Sequence, residues 1–355
     1  MWDIFFNAAS NLDAFLWGPW TMCFIAFVSI FLTFKSRFFQ LSNFRYIFSE
    51  TFLKVFQRSD IREKNTISPF QATSTSLAGT VGMGNMAGVA TALSIGGPGA
   101  IFWMWVLALF GMITKAAEIT LAIHYREVDD NGDIFGGPML YIKKALGWRF
   151  LAILFSLGIT INCIFTSSLL QAHTVGRALD ASYNINPYLT TSLMAFVTMV
   201  VTIGGVKRIG KFCEALVPLM TLLYLGFGLI IFFANIESLP EVFMQILSYA
   251  FSPAPAVGGF AGASIMMAIQ MGMARGMLSN EAGLGTAPMV HANAETKHPF
   301  QQGLWGAAEV FFDTTLVCTI TAVVILSSGV LAGGNSGIEL LLDGFSSYYS
   351  TATAN

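Results

Sequence analysis

Charged residues are scarce in this sequence. Asp, Glu, Lys and Arg make up 11% of the 355 residues, whereas they account for about a quarter of a soluble domain. Hydrophobic residues reach 55%, a balance that excludes an ordinary water-soluble protein. In lipid, backbone N–H and C=O groups must pair within the protein, and a helix pairs them within one segment. The sequence therefore predicts an all-α polytopic membrane protein in a lipid bilayer, and the net charge of −2 gives no indication of nucleic-acid binding.

Residue clusters typical of metal sites and of catalysis are also lacking. The cysteines form no Cys-x-x-Cys pair, so neither a disulfide framework nor a zinc site is predicted. The four histidines have no metal-ligand spacing, and we expect them at the surface or at the membrane interface. They are His124, His173, His291 and His298. No hydrolase, metalloprotease or nucleotide-binding motif is present, so we expect neither an enzyme nor a cofactor.

Apolar segments long enough to cross a membrane follow one another along the chain. About 20 apolar residues span the hydrocarbon core. The predicted spans are Leu16–Phe34, Ser68–Ile95, Ala100–Ile123, Phe150–Gln171, Pro187–Ile203, Ala215–Ala234, Val257–Met277 and Leu304–Val330. Two amphipathic stretches, Phe38–Phe56 and Leu239–Phe251, are expected to lie on the membrane surface on opposite sides.

The basic residues predict an orientation. If the spans alternate, all but two of the 18 lysines and arginines fall on one side of the membrane, which is the cytoplasmic side by the positive-inside rule. The exceptions are Arg177, on the other side, and Lys115, within a span. This pattern places both termini outside the cytoplasm.

A glycine-rich run interrupts the second predicted span. Gly79, Gly82, Gly84, Gly88 and Asn85 fall within ten residues, and each glycine weakens a helix by about 1 kcal/mol relative to alanine. Close helix packing explains two of these glycines but not all of them together with an asparagine. We therefore expect a helix that is broken at mid-depth, where half-helix ends and free carbonyls suit anions and small cations.

The seventh predicted span carries a second group of glycines, namely Gly258, Gly259, Gly262, Gly272 and Gly276. Two glycine-interrupted segments are typical of transporters built from inverted repeats. Close packing against neighbouring helices is the alternative reading.

Several polar groups lie inside the spans, where they are costly. Lys115 and Glu118 are three residues apart on one helix, which predicts an ion pair. Asp313 is expected at mid-depth, either as an oxygen ligand of a small cation or in a bond between helices. Gln171 either holds a ligand or bridges two helices.

Five runs together resemble the alanine/glycine:cation symporter family. These are Gly79–Ala92, Gly96–Trp105, Gly111–Glu118, Gly136–Met139 and Ala274–Gly285. The resemblance implies uptake of alanine, glycine or a similar small amino acid coupled to Na⁺ or H⁺. It also implies a leucine-transporter-like fold of two inverted five-helix repeats.

The resemblance further implies a set of site residues. The substrate would be bound by Met83, Gly84, Asn85, Gln171, Met267, Gln270 and Met271. The coupling ions would be bound by Ala78, Thr80, Val81, Asn85 and Asp313, with one Na⁺ at Thr80, Asn85 and Asp313.

The match to that family is incomplete at the end of the chain, where the second repeat has only two spans. The expected division is a leading helix with an amphipathic segment (1–66), the first repeat (67–236), a partial second repeat (237–330) and a non-spanning polar tail (331–355). The sequence thus resembles a C-terminally truncated symporter of the plasma (bacterial inner) membrane. An inactive or partner-dependent fragment is the alternative, and the sequence decides neither the coupling ion, the preferred amino acid nor the oligomeric state.

Overall fold

A computed structural model describes residues 6–7, 10–12, 15, 18–55 and 66–349, without the side chains of residues 19 and 165–167. The start of the first predicted span at Leu16 and the basic residues Arg58, Arg62 and Lys64 lie outside the described residues. The α-helices are α1 (Pro19–Lys35), α2 (Phe39–Ser42), α3 (Phe44–Glu50), α4 (Pro69–Thr80), α5 (Val89–Gly96), α6 (Gly99–His124), α7 (Pro138–Ala145), α8 (Arg149–Ile161), α9 (Ser168–Tyr183), α10 (Pro187–Thr202), α11 (Gly205–Ala234), α12 (Leu239–Phe251), α13 (Ile265–Asn280), α14 (Thr286–His291), α15 (Pro299–Val310), α16 (Thr319–Ser328) and α17 (Gly337–Tyr348).

Other regular structure is short. Three π-helical stretches lie at Gly84–Gly88, Asn162–Ser167 and Phe311–Cys318, and each runs directly into an α-helix. Two 3₁₀ turns lie at Phe52–Lys54 and Val330–Gly333. A two-stranded antiparallel ribbon is formed by β1 (Glu127–Val128) and β2 (Ile134–Phe135).

The helices match a multi-pass membrane protein. Within the described residues, four helical stretches are long and apolar enough to cross a membrane: Gly99–His124, Arg149–Tyr183, Gly205–Ala234 and Pro299–Ser328. Two shorter helices, Trp20–Lys35 and Pro187–Thr202, are also apolar.

Helix α6 lies at the centre of the packing. It contacts α1, α12, α13, α14 and α15, and Ala100, Ile101 and Met104 on it are fully buried. Helices α8 to α11 instead expose large apolar side chains, with Phe150 79% and Tyr188 83% exposed. Such faces suit contact with lipid, which does not penalise exposed apolar surface.

The second predicted span is broken, as the glycines indicated. Helix α4 starts with a capping box, in which Ser68 accepts a hydrogen bond from Gln71 N while the Gln71 side chain accepts one from Ser68 N. It ends at Thr80 because Val81 has an extended backbone (φ −74°, ψ 102°). The chain becomes helical again only at Gly84.

The predicted seventh span, Val257–Met277, is wrong in its bounds. The segment before α13 is a non-helical hairpin, bridged between Ala254 and Ala263 and between Val257 and Phe260. An apolar composition alone does not distinguish such a hairpin from a helix.

The later glycines of this span serve close packing, because a Cβ on Gly272 would lie 2.4 Å from the Ala100 carbonyl oxygen of α6. The helix is interrupted further on, between α13 and α14, where Glu281 (φ 55°) and Gly285 (φ 80°) adopt left-handed conformations.

The segments outside the spans pack more closely than the sequence suggested. The predicted amphipathic stretch Phe38–Phe56 forms α2, α3 and a 3₁₀ turn, and Phe44 stacks edge-on against Phe311 at 4.9 Å. The predicted polar tail contains α17, which packs against α5, α9, α16 and Gly84–Gly88. Its Leu340 is fully buried, so this part of the tail is not polar in its packing. Residues 350–355 of the tail lie outside the described residues.

We expect Gly272→Ala to destabilise the protein, because the added Cβ would lie 2.4 Å from the Ala100 carbonyl oxygen and 2.7 Å from the Trp103 Cβ. Overpacking of this kind costs about 1–3 kcal/mol, which should lower the thermal unfolding midpoint in detergent. The matched control is Gly226→Ala in α11, where a Cβ would meet nothing within 4 Å. Equal midpoints for the two variants would contradict the packing described here.

Candidate functional site

The two helix interruptions lie against each other. A Cβ on Gly84 would lie 2.9 Å from Ser279 Cα and 3.3 Å from the Leu278 carbonyl oxygen. Only glycine permits this approach, and it brings the start of the helix after the first break to the C-terminal end of α13. Both breaks therefore belong to one site.

Asn85 joins the first break to Asp313. Its side chain is fully buried, and its Nδ2 donates to the Asp313 carbonyl oxygen at 3.0 Å and to the carboxylate Oδ1 at 2.8 Å. Its Oδ1 accepts a hydrogen bond from Gly82 N at 3.2 Å. One amide thus satisfies a backbone group freed by the break and orients a carboxylate on another helix.

Asp313 lies in the π-helical stretch that continues α15, and it is fully buried. Besides the bond from Asn85, its Oδ2 accepts hydrogen bonds from Ser279 Oγ at 2.6 Å and from Thr314 Oγ1 at 3.0 Å. Asn280 Nδ2 in turn donates to Thr314 Oγ1 at 3.1 Å. The carboxylate is therefore held by neutral donors from three parts of the chain.

No lysine or arginine in the described part of the chain forms an ion pair with Asp313. Burial of an unpaired charge is very costly. Binding either a proton or a small metal cation would neutralise this carboxylate. The surrounding oxygens are hard donors of the kind that alkali and alkaline-earth cations take.

The thiol of Cys318 lies where Asn85, Ser279 and Asp313 meet, a place called the junction below. Its Sγ lies 3.5 Å from Asn85 Nδ2 and 3.3 Å from Ser279 Oγ, and the residue is 1% exposed.

Gln171 brings α9 to the first break. Its Nε2 donates to the Gly79 carbonyl oxygen at 3.0 Å, and its Oε1 lies 3.6 Å from where a Cβ of Gly82 would be. The amide is partly exposed, and Ala78 and Gly79 beside it are exposed as well. This side of the break is therefore open, whereas the Asp313 side is closed.

The structure brings most of the predicted site residues together. Met83, Gly84 and Asn85 lie at or directly after the break, and Thr80 and Val81 are buried at the end of α4. Ala78 lies two residues before the end of α4.

Met267, Gln270 and Met271, which the resemblance assigned to the substrate pocket, lie away from the place where the two breaks meet. These residues lie at the far end of the contact between α5 and α13, where a Cβ on Gly96 would meet Met271 Cβ at 2.8 Å and the Met267 carbonyl oxygen at 3.1 Å. Gly84 and Gly96 are separated by about 18 Å of helix at 1.5 Å per residue. The two helices run antiparallel, so the end of α13 reaches the break instead.

Ser279 and Asn280, at the end of α13, are the residues of this helix that lie beside the first break. The sequence carries a signal for them, because these two polar residues lie shortly before Gly283 and Gly285, and glycines commonly follow the end of a helix.

A second buried polar cluster lies beside the site. The predicted pair of Lys115 with Glu118 is wrong: Lys115 Nζ lies 3.3 Å from Glu309 Oε1 on α15, and both side chains are fully buried. Lys115 Nζ also donates to the Asn280 carbonyl oxygen at 2.7 Å. Glu118 accepts a hydrogen bond from Gly283 N at 3.2 Å instead. Lys115 thus has two partners on other helices, Glu309 and the Asn280 carbonyl, whereas Glu118 lies on its own helix.

His291 belongs to this cluster, so its predicted surface placement is wrong; it is fully buried. Gln302 Nε2 lies 3.3 Å from the Pro69 carbonyl oxygen, which only accepts, and 2.8 Å from His291 Nδ1. The other ring nitrogen, Nε2, lies 3.3 Å from Glu309 Oε2. The imidazole of His291 therefore links Gln302 to Glu309.

The sequence is similar to known membrane transporters. A model of the sodium:alanine symporter family matches residues 2–354. An uncharacterized transporter of Bacillus subtilis, YflA, is 41% identical over 326 residues, which cover 92% of this chain and 69% of the relative. The sodium/alanine symporter AgcS of Methanococcus maripaludis is 40% identical over 332 residues (92% and 72%). A probable sodium/glutamine symporter of Bacillus subtilis, GlnT, is 38% identical over 334 residues (94% and 68%).

The buried pair of Lys115 and Glu309 makes a prediction about stability. Glu309→Gln leaves the lysine charged and unpaired, and breaking a buried pair in this way costs about 3–5 kcal/mol. The double variant Lys115→Met/Glu309→Gln leaves no unpaired charge and should recover much of that loss. Denaturation of the purified variants in detergent measures both effects. A double variant no more stable than Glu309→Gln would show that the charges are not coupled.

Proposed function

Because the chain belongs to the sodium:alanine symporter family, we propose that it imports a small neutral amino acid, alanine or glycine, together with Na⁺ or H⁺. Cation-coupled symport of amino acids is the role typical of this family. The names of the archaeal and bacterial relatives, a sodium/alanine and a probable sodium/glutamine symporter, support sodium coupling but differ in the amino acid. A transport role also accounts for the polar junction buried among apolar helices.

The observation that carries this proposal is the buried carboxylate of Asp313, held by Asn85, Ser279 and Thr314 without a basic partner in the described residues. A coupling cation at this place would supply the missing charge. Thr80 and Asn85 would contribute oxygens on the side of the first break.

The amino acid would bind beside that cation, on the open side of the break. The helix that starts at Gly84 has no side-chain cap. The first N–H groups of a helix lack partners within it, and its positive end attracts a carboxylate. Met83 and Gly84 would provide these donors, and Gln171 would complete the site from α9. A cation next to the bound carboxylate would link the two binding events.

Alternating access would follow from two halves that move around this junction. The side-by-side breaks at 81–83 and 281–285 fit inverted repeats of the leucine-transporter type, in which interrupted helices face each other. The distribution of basic residues supports a plasma (bacterial inner) membrane location with both termini outside the cytoplasm.

The cation site is tested with the purified chain in proteoliposomes. We expect an inward Na⁺ or H⁺ gradient to drive alanine uptake, and separate gradients of each ion identify which one is coupled. Asp313→Asn and Asn85→Ala should each reduce the affinity for that ion by about 10-fold or more, as loss of a ligand or its support does in metal sites. The matched control is Asp130→Asn, which makes the same change at an exposed aspartate. Wild-type ion affinity in Asn85→Ala would rule out this site.

Gln171→Ala separates the amino-acid site from the ion site. We expect a higher KM for alanine at saturating cation with an unchanged half-saturating cation concentration, because Gln171 contacts Gly79 rather than Asp313. Competition of alanine uptake by glycine and by glutamine then ranks the substrates. A change confined to the cation dependence would place Gln171 elsewhere in the mechanism.

A further inference from the structure

The end of helix α13 is held by a buried lysine. The helix stops at Asn280 because Glu281 turns left-handed (φ 55°, ψ 19°), and the last carbonyls of a helix lack partners within it. Lys115 Nζ donates to the Asn280 carbonyl oxygen at 2.7 Å. A cation at this end of a helix is also stabilised by the helix dipole.

The side chains of the same last turn support the carboxylate at the junction. Ser279 Oγ donates to Asp313 Oδ2 at 2.6 Å. Asn280 Nδ2 donates to Thr314 Oγ1 at 3.1 Å, and Thr314 Oγ1 donates to Asp313 Oδ2 at 3.0 Å. The backbone that Lys115 holds therefore belongs to the residues that orient Asp313.

The ammonium of Lys115 is itself fixed in place. Its side chain is fully buried, and Nζ lies 3.3 Å from Glu309 Oε1. Glu309 lies four residues before Asp313 along one continuous helical stretch, and its Oε2 lies 3.3 Å from His291 Nε2. A shift of α13 relative to this stretch would therefore disturb the contacts of Lys115 and of Asp313 together.

We propose that Lys115 is a positioning residue for the cation site: through the Asn280 carbonyl it fixes Ser279 and Asn280, whose side chains hold Asp313 ready for the cation. This inference rests on the proposed function, because it takes Asp313 as the place of the coupling cation. Lys115 contacts neither the amino acid nor the cation. Its loss should weaken cation binding and leave amino-acid recognition unchanged.

The test compares the wild-type chain with Lys115→Met and with Lys115→Met/Glu309→Gln in proteoliposomes. Two quantities are measured: the concentration of the driving cation, Na⁺ or H⁺, that gives half-maximal alanine uptake, and the KM for alanine at saturating cation. In both variants we expect the half-saturating cation concentration to rise about 10-fold, the lower end of the effect of removing supporting partners from an ion site. The KM for alanine should stay at its wild-type value, a split that general loosening of the fold would not produce.

Lys144→Met is the matched control, because it makes the same change in an exposed pair, where Lys144 Nζ lies 3.0 Å from Glu127 Oε1. It should leave both quantities unchanged. If Lys115→Met does not fold, the double variant provides the test, because it leaves no unpaired buried charge.

The outcomes separate this inference from the proposed function. Absence of cation-driven uptake by the wild-type chain would overturn the proposed function, and the inference with it. Cation-driven uptake with wild-type half-saturation in the folded Lys115 variants would overturn the positioning role alone. A parallel rise in the alanine KM would also overturn it, because Lys115 would then support the whole fold rather than the cation site.

Discussion

The hydrogen bonds between the Asn85 amide and Asp313 are the interaction on which the rest of the site depends. They connect a broken helix to a π-helical stretch that would otherwise only pack against it. The break frees the Gly82 amide that Asn85 also binds, and the close approach of Gly84 to Ser279 brings a third element to the same carboxylate. Without the break there would be no free backbone group for Asn85, and without Gly84 the first break could not approach Ser279 so closely.

The buried carboxylates of Glu309 and Asp313 lie one helical turn apart and have different kinds of partner. Glu309 is paired within the protein with Lys115, and its other carboxylate oxygen lies 3.3 Å from His291 Nε2. Asp313 receives only hydroxyl and amide donors in the described residues. The fold thus pairs one of these carboxylates with a lysine, whereas the proposed cation would pair the other.

Features set by local sequence could be predicted, whereas features set by contacts between distant segments could not. The break after Thr80 follows from the density of glycines, and α12 has the predicted bounds Leu239–Phe251, because its amphipathic pattern is local. The partner of Lys115 lies 194 positions away, on α15, and no spacing within one helix reveals it.

Only part of the site could be predicted, because some of its contacts join segments that are far apart in the sequence. Asn85 and Asp313 stood out as polar residues inside apolar spans. The methionines of α13 were expected at the substrate site only because the family resemblance implied it. The actual interruption depends on the left-handed Glu281 and on the glycines after it, and the direction in which α13 passes α5 is a property of the packing.

The burial of Cys318 has a consequence for following the protein at work. Its thiol lies where the broken helix, the end of α13 and the π-helical stretch meet, and it is 1% exposed while those elements are closed together. A water-soluble alkylating reagent reaches that sulfur only when the elements separate. The chain therefore carries, in its native sequence, a chemical reporter at the point around which its halves would have to part.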